Sequence, residues 1–114
     1  MKTAHFLKGD KQTSQDLSSA ALSYTTSFGR KFKLEQITIH ASVAITETIT
    51  VTFISASGAN YNVVLTSRDL VGEQDFIFRP QGECNFQAGD EVKVQCTNAN
   101  TTGIVYATIK TSEM

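Results

Sequence analysis

Tryptophan is absent from this chain of 114 residues, and there are only one proline, two cysteines and two histidines. Each scarcity excludes something. Two histidines, His5 and His40, leave little material for metal centres or for acid–base chemistry, which draw on histidine more than on any other side chain. Cys84 and Cys96 have no second pair of ligands beside them, so they make a poor zinc site, and two cysteines are too few for a disulfide framework. A formal net charge of -1 removes the strongly basic surface that nucleic acids and anionic membranes select. No apolar run approaches the roughly 18 to 20 residues that a membrane-spanning helix needs. The opening segment MKTAHFLKGDKQ lacks the apolar core and small-residue cleavage site of a signal peptide, so synthesis in a cytoplasm is expected, with both thiols free. Local signatures for a serine nucleophile elbow, a zinc protease helix or a phosphate loop are also missing.

What is present is threonine and serine, 15 and 10 residues respectively, which in several stretches alternate with apolar residues. β-Branched residues fit a pleated surface, so this composition favours strands with hydroxyl-rich outer faces. The clearest case is the stretch 47–65, ETITVTFISASGANYNVVL. There Ile49, Val51 and Phe53 alternate with Thr48, Thr50 and Thr52, a period of two that puts one face in a core and the other in water. Tyr61, Val63 and Leu65 are expected to repeat the pattern after a short turn in which Gly58 and Asn60 tolerate positive φ.

Taken in order, residues 1–16 are polar without a period and read as an arm or loose lead-in, suited to docking on a neighbouring subunit. Residues 17–114 read as a single domain. Residues 17–28 are expected to form a strand, with a short helix over 16–22 as the weaker alternative. Residues 31–43 change phase: Phe32 and Leu34 share one parity, whereas Ile37, Ile39, Ala41 and Val43 share the other. A strand cannot swap faces without an extra residue, so a bulge is expected at Glu35-Gln36. Residues 68–72 read as a polar connection or single helical turn. Phe76 and Phe78 mark a further strand, ended by Pro80. Cys84 and Phe86 share one face of a short strand. Val92, Val94 and Cys96 form the inner face of the next, and Cys84 and Cys96 flank a turn that could bring them together. Val105, Ala107 and Ile109 form the inner face of the last. Regular short strands with turns every 8 to 12 residues and no long helix predict an all-β antiparallel sandwich of about eight strands.

Candidate functional residues are few. Tyr61 with Asn60 and Asn62, and Tyr106 near Asn98 and Asn100, combine a flat amphipathic ring with polar neighbours, as a sugar-binding groove or an interface would. Any two of Asp69, Glu73, Asp75, Asp90 and Glu91, were they to meet, could serve as a glycosidase pair, and Asp69, Glu73 and Asp75 as a calcium site, but they are also ordinary turn residues. Lys2, Lys8, Lys11, Arg30, Lys31 and Lys33 read as solvated surface. His40 lies on the polar parity of its strand and reads as a solvent-facing or interface residue.

The run 32–109 resembles small proteins encoded among the virion genes of tailed bacteriophages. The resemblance rests on FKLEQITIHAS, TETITVTFISASGANYNVVLTSRDL and FRPQGECNFQAGDEVKVQCTNAN. It implies a jelly-roll-like sandwich that serves as a capsid decoration, fibre-base or tail accessory protein. It further implies a virion location, self-association (as a trimer by family habit) and docking on other virion proteins. It implies no catalytic residue; no cofactor or metal is expected, and the charge balance argues against nucleic acid or membrane as partner. The cysteines are not part of that pattern. The rival expectation is a carbohydrate- or receptor-binding module.

Overall fold

The computed structural model describes residues 8–113 of the chain, of which nine segments are strands. In chain order these are β1 (Lys8–Asp16), β2 (Leu22–Thr26), β3 (Phe32–Ile45), β4 (Thr48–Ile54), β5 (Val63–Asp69), β6 (Glu73–Phe78), β7 (Asn85–Phe86), β8 (Glu91–Cys96) and β9 (Ile104–Glu113). All pairings are antiparallel. One sheet runs β1-β9-β3-β6, with β7 also on β3; the other runs β2-β8-β4-β5. Apart from the β4–β5 hairpin and the step into the short β7, each connection crosses from one sheet to the other. That order, two interleaved Greek keys, is a jelly roll.

The core is the alternation of the sequence made solid. Leu34, Ile37, Ile39, Ala41, Val105, Ala107 and Ile109 point inward from the first sheet, and Leu22, Ile49, Val51, Val92, Val94 and Cys96 from the second; all are buried. One end of the core is aromatic. Phe86 stacks on Phe32 at 4.6 Å between ring centroids and meets Phe53 edge-on at 5.0 Å. The bulge expected at Glu35-Gln36 is present as a register shift against β9 between Leu34 and Gln36, which lets Phe32, Leu34, Ile37 and Ile39 all face inward.

Several expectations are corrected. Residues 8–16 are not a loose arm: they form the edge strand β1, paired along its length with β9, while residues 1–7 lie outside the described part. An edge strand draws its stability from ladder hydrogen bonds, so it need not display an apolar period. Residues 17–21 form a turn, not a strand, with Leu17 buried and the Asp16 carboxylate accepting from the N–H and hydroxyl of Ser18. Those hydrogen bonds hold the Asp16 carboxyl below its usual range. Val43 does not share the buried face of Ile37 and Ile39; a second irregularity, between His40 and Ile45, turns it outward. Gly103 packs under that bend at φ +88, where a Cβ would come within 3.0 Å of Val43 and 3.2 Å of Ile45. Only glycine fits there.

The hairpin loop is longer than expected. Residues 55–62 contain a 3-10 turn, Ala59–Tyr61, and Asn60 does not take positive φ. Tyr61 and Val63 are exposed and lie outside the core, although Val63 is registered opposite Phe53. Residues 68–72 finish β5 and enter a tight turn whose Leu70 is wholly buried. Cys84 and Cys96 are free and belong to different regions: Cys84 precedes β7 beside the first sheet, while Cys96 ends β8 in the second.

Candidate functional site

Polar side chains that leave the outer faces fall into two groups, those that lock the ends of the sandwich and those that stand on open sheet. The lock at one end is Glu47, in the β3–β4 turn and only 4% exposed. Its Oε1 accepts from the Thr97 hydroxyl at 2.7 Å and the Ala99 N–H at 2.9 Å, and its Oε2 from the Asn100 N–H at 2.8 Å. The backbone joins in: the Leu70 N–H donates to the Glu47 carbonyl, and the Thr97 N–H to that of Thr48. Burial pushes the carboxyl upward, but the donors from Thr97, Asn100 and Ala99 outweigh it, and Glu47 sits below its ordinary value of 4.5. In the same loop Thr101 holds φ 48, a left-handed value uncommon for a β-branched residue. At the other end Asp90 does similar work, accepting from the N–H groups of Ala56 and Gln87, both at 2.8 Å. These carboxylates are structural: Glu47 ties the β3–β4 turn to the 97–103 loop, and Asp90 closes its own 87–90 turn and ties it to Ala56.

The open sheet is different. Across the outer face of the first sheet, registered pairing lines up Ser14, Tyr106, His40 and Asp75 in one row, and Gln12, Thr108, Thr38 and Ile77 in the next. Cross-strand neighbours on one face stand about 5 Å apart, so each row is a contact surface. His40 Nδ1 lies 2.6 Å from Asp75 Oδ1. The His40 and Tyr106 rings lie nearly parallel, with centroids 6.3 Å apart. Gln36 donates to the Thr38 hydroxyl at 2.8 Å and accepts from Arg79 at 2.9 Å. Tyr106 and Ile77 are about half exposed.

The sequence-derived candidates divide accordingly. Tyr106 is on this face, but its neighbours are Ser14 and His40, not Asn98 and Asn100. The amides of those two asparagines donate instead to the backbone carbonyls of Leu17 and Thr46. Tyr61 and Asn60 stay together at the exposed tip of the β4–β5 loop, while the Asn62 side chain accepts from the Ser55 N–H and so holds that loop. Of the acidic cluster, Asp69 accepts from the Thr48 hydroxyl, Glu73 pairs with Arg68 and Asp75 with His40, so the three do not converge. Among the described residues no group of three such side chains is placed to hold a metal ion. Lys11 lies with its amine 5.5 Å from the centre of the Phe28 ring. Sequence reasoning missed Glu47, because a single glutamate in a turn carries no local signal, and it missed the His40–Asp75 pair, whose partners are 35 residues apart.

The flank formed by β5 is the remaining open feature. Val63, Val64 and Tyr61 are 53%, 58% and 64% exposed. Beside them Leu65, Phe78, Pro80 and Cys84 line a cleft between the two sheets.

No protein-family model matches the chain, and no curated protein matches it in sequence. Among solved structures it is similar to the Drosophila NLP core, whose crystal structure concerns pentamer formation and histone binding: 16% identity over 89% of this chain and 95% of that one, TM-score 0.49. It is also similar to PirA, at 14% identity over 96% of each chain, TM-score 0.47. A third is the complex of Aeromonas sobria serine protease with the chaperone ORF2, at 10% identity over 94% of this chain and 27% of that one, TM-score 0.43.

Proposed function

We propose that the chain is a non-enzymatic structural subunit of a tailed-phage particle, which self-associates and docks on other virion proteins. The phage setting rests on the sequence resemblance. The observation that supports an assembly role is the β5 edge. Sheet edges present unpaired N–H and C=O groups, and soluble proteins blunt them with charge, bulges or shortness. The β6 edge carries Glu73 and Asp75, and β1 is polar throughout. β5 has a register shift against β4 at Leu65 but begins Val63-Val64-Leu65, with its charged residues, Arg68 and Asp69, only at its far end. Its occupant is a second copy of the chain: an antiparallel edge is self-complementary about a two-fold axis, and strand addition supplies main-chain hydrogen bonds while Tyr61, Val63 and Val64 supply apolar area.

Light scattering tests this. The wild-type protein is expected to have a mass that is a multiple of 12.4 kDa. Val64→Lys places a charge on the edge and is expected to give monomer with an unchanged melting temperature, since exposed substitutions usually stay within about 0.5 kcal/mol. A wild-type monomer, or a Val64→Lys protein of undiminished mass, would overturn the reading.

A further inference from the structure

The outer face of the first sheet is chemically lopsided. Over β3 and β6 its polar groups satisfy one another: His40 with Asp75, Gln36 with Thr38 and Arg79. Over β1 and β9 they do not. Gln12, Ser14 and Thr108 make no side-chain hydrogen bond within the described residues, yet they surround one flat ring. Together with Thr13 and Ala107 they and Tyr106 line a shallow depression of about 320 Å³. On its other side Tyr106 has the near-parallel imidazole of His40, which contacts Asp75, and the ring stays about half exposed. The lining carries no charged side chain.

We infer that this depression binds a neutral sugar ring. An apolar C–H face of a pyranose has the shape and polarity to lie on the exposed face of Tyr106, while its hydroxyls, each both donor and acceptor, match the amide of Gln12 and the hydroxyls of Ser14 and Thr108. With no charged side chain in the lining, nothing there would pair with an anion or a cation, whereas a neutral glycan needs only the hydrogen-bonding groups that are present. The few polar groups converging on one aromatic surface are what a small-ligand site requires, and the openness of the depression fits a weak, repeated contact with a polysaccharide. This goes beyond assembly and is independent of the β5 edge: the two surfaces belong to different sheets.

The experiment is saturation-transfer NMR and isothermal titration with glucose, galactose, mannose and N-acetylglucosamine and their short oligomers, on the full chain. At least one of these is expected to bind, with saturation passing from the protein most strongly to the ring C–H protons of the sugar. Tyr106→Ala should weaken that binding about tenfold or more, as loss of an aromatic contact face does, and Tyr106→Phe should keep most of it. Gln12→Ala, which removes only an exposed amide, should weaken binding several-fold with an unchanged melting curve, and so carries the test if Tyr106→Ala folds poorly. Val64→Lys should bind as the wild type does, so a failed assembly reading leaves this one standing. Absence of binding across the panel, or binding unaltered in Tyr106→Ala and Gln12→Ala, would overturn it.

Discussion

Replacing Glu47 by glutamine changes the side-chain volume little and removes one acceptor and one charge from a nearly buried site. The amide oxygen can remain with the two donors on one side, Thr97 and Ala99, but its NH2 then faces the Asn100 N–H, donor against donor. A hydrogen bond to a charged group contributes roughly 1.5–3 kcal/mol, and the two bonds that survive become neutral and weaker. Against this, glutamine escapes the desolvation that burial imposes on the carboxylate. The net loss works out at about 2 kcal/mol, or about 8 °C in Tm for a domain of this size. The acid limb gives a second reading. Because the folded carboxyl lies below its ordinary value of 4.5, its contribution is present above that pH and is lost as pH falls through the lower folded value. Thermal melts followed by circular dichroism from pH 7 to pH 2.5 should therefore show the wild type ahead at neutral pH and the two proteins converging in acid. An equal Tm at pH 7, or a gap that stays constant into acid, would refute the account of Glu47 as the charged clasp of the 97–103 loop.

Further outcomes follow from the core and the thiols. Phe86→Ala removes the ring packed between Phe32 and Phe53 and should cost about 3–5 kcal/mol, read as a lower urea midpoint with an unchanged slope. Burial, with the Glu47 charge nearby, pushes the Cys96 thiol up to about 11, and burial also raises Cys84. Alkylation at pH 8 should be slow at both, faster at the partly exposed Cys84, and should reach Cys96 only on unfolding; equal rates at the two sites in the native protein would contradict their placement. Tyr106→Ala and Val64→Lys, with the outcomes given above, complete the set.

The strands that could be read in advance are those with one wet face. β4, β8 and β9 announce themselves because burial on a single side forces a period of two, and in β3 the same constraint placed a bulge near Glu35-Gln36, where the register shifts. Strands at the margins of the sheets obey no such constraint. β1 is polar on both faces and was legible only as a lead-in, and β5 has apolar residues on both faces because neither is fully covered. Alternation therefore misassigned Tyr61 and Val63 to the core. Val43 failed for a related reason: its parity matched, but a second bend intervened that Gly103, in the loop before β9, makes room for.

Composition and alternation, which are local properties, thus determined the fold class and the inner faces of the central strands. Strand order was left to tertiary structure, since a strand's period says nothing about which neighbour completes its ladder. Every feature that depends on order waited with it: the row Ser14–Tyr106–His40–Asp75, the meeting of Glu47 with the 97–103 loop, the separation of Cys84 from Cys96, and the choice of β5 as an open edge. Hydrogen bonding across a sheet joins residues dozens of positions apart, and the side chains that share a face are chosen by that pairing.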